Sequence, residues 1–428
     1  MIINKKSDLK TIKEYLFEYR GIFFKRSYEI FMLIIISMVV MQNVRSLKFL
    51  FEKFISKHIG KSLNSFYYFL NDKNHSIEDM IKVTTKIAKS LMTKDNNCIF
   101  LSIDDTLIPK YGDKFENRYK LFDHAKRNGS LYINGHCVVS LAMTLPMGEK
   151  SITIPLGYKL YDKSCTKLDL AKELIETAMT QLNEFKIVVL CDSWYTNSKL
   201  LELANKYENL EITGAVRSNT VLFDLKPEKT GQRGRPREKG DRLNYKDFKY
   251  VKDNDLYVST IECLTNLYDK PVMITVTTND TTNFKSVRFY LSTEKIEKEK
   301  TEIVEEKRNN KVNSVYDVYR NRWNIEVMFY QQKTFWSLET YMVRSKVGIE
   351  KYINLIGISY AMMVLIPFIS DMHKEYKFCS VQEIKYAFSE RIMNELFFSK
   401  ILKFQLIKEN LTSIPELREF NDSEDLVS

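Results

Sequence analysis

From its start to about residue 95, apolar residues recur at three- and four-residue steps through Ile12–Phe24, Ile30–Met41 and Leu47–Ile55. That period predicts a helical region over 1–95. Within it, 46–71 reads as a helix, a turn at Gly60 and a second helix capped near Ser62 or Asn64. Lys48, Lys53, Lys57 and Lys61 lie on its outer side. The pair fits a helix-turn-helix, and equally an ordinary helix pair with a solvated basic face.

At Asn96 the period shortens. NNCIFLSIDDT (96–106), 131–144 and 151–162 read as three strands in an antiparallel meander. An amphipathic helix at 167–184 follows, then the wholly apolar strand KIVVLCD (186–192), a helix at 195–206 and a strand at 210–217. The order β-β-β-α-β-α-β predicts a mixed α/β sheet with helices on its faces, over 96–217. Residues 218–294 read as an all-β insertion with four strand-like runs, YKDFKYV, LYVSTIECL, PVMITVTT and SVRFYLS. Helical pattern resumes near Lys295, giving a last core helix in 295–345 and a C-terminal helical region over 346–428.

Composition narrows the partners. The formal charge is +10, and residues 1–95 hold 17 Lys and Arg against 9 Asp and Glu, so most of the excess is N-terminal. Such an excess suits a polyanion. Six cysteines without a CxxC pair argue for a reducing cytoplasm and against structural zinc. The opening residues lack the apolar core of a secretory signal. The apolar run at 30–41 is too short to span a bilayer, so no membrane partner is expected.

Three acids carry the candidate chemistry. Asp104 and Asp105 end the first strand and Asp192 ends the apolar one; ligands of open α/β sheets bind beyond strand ends. Each Asp alone also reads as a turn or cap residue. In YRNRWNIEVMFYQQK, the residues Tyr319, Arg322, Glu326 and Lys333 fall within roughly 60° of one helical face. Two strand-end acids and a helical one are what a two-metal phosphodiester site requires, and carboxylates suit Mg²⁺, with Mn²⁺ able to substitute.

These residues resemble the DDE transposases of bacterial insertion sequences, in the cut-and-paste group with a β-rich insertion before the last acid. The resemblance rests on IDDT at 103–106, VVLCDSWY at 188–195, GAVRS at 214–218 and the Tyr-x2-Arg-x3-Glu-x6-Lys signature at 319–333, and covers about 46–360. It implies an RNase H-like core with Asp105, Asp192 and Glu326 as the catalytic, metal-binding triad, and double-stranded DNA as substrate. Asp105 is preferred because the motif places the acid directly before Thr; by alternation Asp105 shares a face with Ile103 and Leu101, and Asp104 lies opposite. Tyr319, Arg322, Lys333 and Arg217 are then expected on the transposon end. The N-terminal helices are expected on the terminal inverted repeats, and the C-terminal helices in a homodimer. A DNA-binding protein derived from a transposase but no longer cutting, and a related nuclease or resolvase, are the alternatives. Arg233 and Arg235, in QRGRPR at 232–237, resemble an AT-hook core for the minor groove, or a solvated basic loop. The insertion has no Trp, so a flipped base would have to stack on Tyr257, Phe284 or Tyr290.

Overall fold

The computed structural model describes residues 7–92, 98–123, 129–227, 237–294 and 314–412, without the side chains of Ser314 and residues 400–412. The N-terminal periodicity becomes helices Asp8–Phe17, Lys25–Val40, Leu47–Lys53, Leu63–Asn71 and Ile77–Lys89. Their starts follow local chemistry: the hydroxyls of Ser7, Ser46 and Ser76 accept the backbone N–H of Lys10, Phe49 and Asp79. The apolar run lies in Lys25–Val40 and is largely buried. Ser62 begins the second helix of the expected pair, which closes through Phe51 edge-on to Phe66 at 5.5 Å.

Among the described residues twelve strands follow: β1 Cys98–Pro109, β2 Tyr119–Phe122, β3 Tyr132–Met147, β4 Lys150–Leu160, β5 Lys186–Cys191, β6 Leu210–Val216, β7 Leu222–Phe223, β8 Arg242–Leu243, β9 Val251–Asp253, β10 Leu256–Thr265, β11 Val272–Thr278 and β12 Arg288–Ser292. They form one sheet in the order β2-β3-β1-β5-β6-β12-β11-β10-β7-β8, with β4 on β3 and β9 on β10. β1 runs antiparallel to β3 and parallel to β5, and β5 parallel to β6. This is the mixed sheet expected of an RNase H-like core. β12 pairs directly with β6, so the β-rich segment extends the core sheet.

Three local expectations are corrected. YKDFKYV is not a strand: the Asn244 side chain accepts from Lys246 N–H and starts a 3₁₀ turn at Tyr245–Asp247, and pairing begins only at Val251. The helix at 195–206 is two short ones, Ser198–Leu201 and Leu203–Lys206. The signature is not one helix: Ser314–Arg320 ends before a second helix, Trp323–Phe335. Lys295 and the segment up to residue 313, like Arg233 and Arg235, lie outside the described residues.

Helix Lys167–Met179 covers one face of the core sheet and Trp323–Phe335 the other. The helix Lys346–Ile369 is apolar on nearly all sides. Among the described residues it alone is long and apolar enough to cross a membrane, yet 89% of its most apolar stretch is buried inside the protein. It lies against β4, where Gly357 faces the Tyr158 ring so closely that a Cβ would stand 2.7 Å from it. The Asn354 side chain accepts Tyr158 N–H at 3.0 Å and donates to Tyr158 C=O at 3.0 Å. The outward backbone groups of an edge strand are thereby satisfied from a helix.

Asn354→Leu removes both partners from the Tyr158 backbone within a buried contact. We expect a loss of about 2–5 kcal/mol in unfolding free energy, read from the shift of the urea midpoint.

Candidate active site

Asp104 and Asp105 do not end their strand as expected, because β1 stays paired with β3 as far as Pro109; register nonetheless brings one of them to Asp192, which follows the end of β5. Ile103 pairs with Cys191 across the parallel β1 and β5, so Asp104 and Asp192, one residue further on, lie side by side on one face. Across the antiparallel partner, Asp104 stands opposite Ser140, and Ser140 opposite Tyr158. The Tyr158 hydroxyl donates to Gln332 Oε1 at 2.6 Å, which identifies this face as the one covered by Trp323–Phe335. At the start of that helix Arg322 bridges two acids. Its Nη1 lies 3.4 Å from Asp104 Oδ2, and its Nη2 donates to Glu326 Oε1 at 2.5 Å. Asp192 is held by its own turn, with Oδ1 accepting the N–H groups of Trp194 at 2.9 Å and Tyr195 at 3.0 Å.

Asp105 looks the other way. Its Oδ1 accepts from Lys167 Nζ at 2.7 Å and from the Tyr195 hydroxyl at 2.8 Å, and the Cys137 thiol lies 3.2 Å from Oδ2. The structure therefore brings Asp104, not Asp105, to the signature helix. Sequence reading had separated the two faces correctly without a local signal for which one the helix would cover. Lys167 and Tyr195 were missed altogether; their partners are remote in sequence.

Burial, reinforced by the charges of Asp192 and Asp105, pushes the Asp104 carboxyl up to about 7. For Arg322 burial opposes the charge, but Tyr319, Glu326 and Asp104 outweigh it and hold the guanidinium above its usual range. Arg322 Nε is buried and has no hydrogen-bond partner among the described residues. Burial also pushes the Tyr319 phenol up to about 12 and the Cys191 thiol to about 12, so Cys191 is a buried apolar residue at neutral pH.

The rest of the signature is spread wider than one helical face implies. The break at Asn321 separates Tyr319 from the helix bearing Glu326, although Arg322 still lies 5.7 Å from the Tyr319 ring centre. Lys333 is turned to Glu339 at 2.6 Å. Arg217 is exposed at the end of β6. Between β6, β12 and the signature runs a groove of about 870 Å³ lined by Arg288, Arg320, Arg322, Tyr316, Tyr319 and Trp323. Tyr290 is buried against Tyr316 and Tyr319, and Phe284 packs on Tyr245 and Tyr250. His136 is also structural: its Nδ1 meets the Tyr341 hydroxyl and its Nε2 the Glu116 carbonyl, and burial lowers it to about 4.

Donor type and charge fit a divalent cation: Asp104, Asp192 and Glu326 offer only carboxylate oxygens, and their crowding is what a cation relieves. Here Arg322 supplies the positive charge between two of them. Among the described residues, no three His, Cys, Asp or Glu side chains stand close enough to hold an ion.

Residues 29–255, more than half of the chain, match the family model described as DDE superfamily endonuclease. The match includes all three aspartates and ends before the signature. No curated protein matches the chain.

Between the ordinary carboxylate range and about pH 7, the folded state keeps a proton on Asp104 that the unfolded state releases, so this group makes stability fall as pH rises. Asp104→Asn abolishes that dependence. In EDTA, its melting temperature relative to wild type is expected to be higher at about pH 8 than at about pH 5.

Proposed function

This chain belongs to the DDE superfamily endonucleases, and on that premise we propose that it is a bacterial transposase. It binds the terminal inverted repeats of its element as a homodimer, hydrolyses phosphodiester bonds there and transfers the freed 3′ ends into target DNA. One observation carries this reading: Asp104, Asp192 and an Arg–Glu pair meet where β1 and β5 stop pairing, past the carboxyl end of β5, beside a groove lined with arginines and aromatic rings. Exposed Met393, Phe397 and Phe398 on the helix Val381–Thr412 support a dimer contact there.

The triad we propose is Asp104, Asp192 and Glu326, with Asp104 taking the place expected of Asp105. These three would hold two Mg²⁺ ions, or Mn²⁺, which supply an activated oxygen nucleophile and stabilise the leaving oxygen. Arg322 first neutralises the acids, then exchanges a carboxylate for a phosphate, which offers the same two-pronged geometry. Tyr319 holds the guanidinium in place from below, and the exposed Arg217 meets the backbone at the end of β6. Lys333 reaches DNA on leaving Glu339.

DNA carrying the gene's own flanking sequences, incubated with Mg²⁺ or EDTA, tests this. Asp104→Asn, Asp192→Asn and Glu326→Gln should each slow metal-dependent cutting on the order of a thousandfold, with binding retained. Asp105→Asn should lose only about 10- to 100-fold, as a residue one step from the metal does. If Asp105→Asn is the more damaged of the two, Asp105 is the ligand. Specific binding without metal-dependent breaks would leave a DNA-binding protein derived from a transposase.

A further inference from the structure

Lys333, the last residue of the signature, is a cation already taken. Its ammonium lies 2.6 Å from the Glu339 carboxylate, and only 19% of the lysine side chain and 38% of the glutamate's are exposed. Glu326 and Lys333 are seven residues apart on one helix, hence within about 20° of the same line and roughly 10 Å apart along it. A strand that is cut at Glu326 and follows this flank passes Lys333. The two partners differ in freedom. Lys333 stands on a stem of flexible methylenes in the last turn of the helix, where the dipole favours a cation. Glu339 is built into a fixed segment. Ser337 stops the helix in a left-handed conformation, φ 55°, with the Leu338 N–H closing back on the Gln332 carbonyl at 3.2 Å. Glycine is usual at such a stop; here the Ser337 hydroxyl accepts the Val44 N–H at 3.1 Å. Just beyond, the buried Lys110 ammonium donates to the carbonyls of Glu339 and Tyr341, at 2.8 Å each. The carboxylate is held in place, while the ammonium is free to swing away.

A carboxylate and a backbone phosphate offer an ammonium the same kind of partner, a charged oxygen acceptor. We propose that Glu339 is an internal stand-in for a DNA phosphate. It holds Lys333 in the DNA-free protein, yields it to a strand lying along the Glu326 flank, and takes it back as that strand leaves. Glu339 is thus a positioning residue that sets how firmly DNA is retained at the site and how readily it is released. This rests on the reading of Lys333 as a phosphate contact. An ion pair that served the fold alone would leave DNA binding unchanged when broken.

The test is a double-mutant cycle on DNA affinity. Full-length wild type, Glu339→Gln, Lys333→Gln and the double variant are titrated in EDTA with a labelled duplex carrying the gene's own flanking sequence. Glu339→Gln keeps the shape of the side chain and removes its charge. It should bind about 2- to 5-fold tighter, the worth of one partly exposed ion pair, with the gain in a slower off-rate. Lys333→Gln should bind more weakly, with a salt dependence shallower by roughly 0.9 in log–log slope, one phosphate contact. In the double variant the gain from Glu339→Gln should vanish, because no ammonium remains to be released. Unchanged or weaker binding by Glu339→Gln would overturn the stand-in. So would a gain that persists without Lys333, which would be plain repulsion between Glu339 and DNA. The underlying reading fails in a different way. Lys333→Gln with wild-type affinity and salt dependence would take Lys333 out of the DNA interface, and the stand-in with it.

Discussion

Burial of the helix Lys346–Ile369 ties the separate layers into one body. It covers the edge of β4 through Asn354, and Glu350 accepts Leu160 N–H at 3.1 Å. It reaches the N-terminal helices through Lys351, whose ammonium donates to the carbonyls of Phe69 and Asp72. It holds the signature helix through Trp336, which donates to Ser359 at 3.0 Å, and through a hydrogen bond from Tyr360 to Gln331. Each large apolar side chain it buries contributes on the order of 1.5–3 kcal/mol. The position of Glu326 relative to the sheet therefore depends on a helix that carries none of the acids.

The same packing explains the buried cations. Lys110, Lys351 and Lys385 are almost wholly inaccessible, and burial lowers them to about 7, 8 and 7 respectively. All three direct their ammonium groups at backbone carbonyls. Lys385 donates to Phe335 at the end of the signature helix, Lys110 to Glu339 and Tyr341 just beyond it, and Lys351 to the end of Leu63–Asn71. For Lys385 and Lys351, a helix end that would leave carbonyls unpaired in the interior is satisfied by an ammonium group, which the helix dipole favours there. Two of these lysines anchor the segment that follows Glu326.

At the acids, alternation along β1 forces a division of labour. Adjacent residues on a strand cannot share a face. Asp104 lies beside Asp192 and pairs with Arg322, which also holds Glu326; Asp105 answers to Lys167 and Tyr195. Each cluster carries its own cation, although at Asp104 burial and the neighbouring aspartates outweigh Arg322.

Much of this was readable locally. The changes of apolar period marked the N-terminal helices, the three-stranded meander and the buried strand ending at Asp192, because a period of 3.6 or 2 is a property of neighbouring residues. The order of acids after two apolar runs, followed by Arg322 and Glu326, was equally local, although β1 continues past its acids to Pro109. Neither the break at Asn321 nor the short β2 had such a signal. The choice between Asp104 and Asp105 could not be local. Strand alternation decides only that the two face apart; which face becomes the site is decided by the contacts of Gln332 with Tyr158 and of Trp336 with Ser359, between residues far apart in the chain. The sequence by itself determined which groups exist and in what order, and only tertiary packing decided which of them meet.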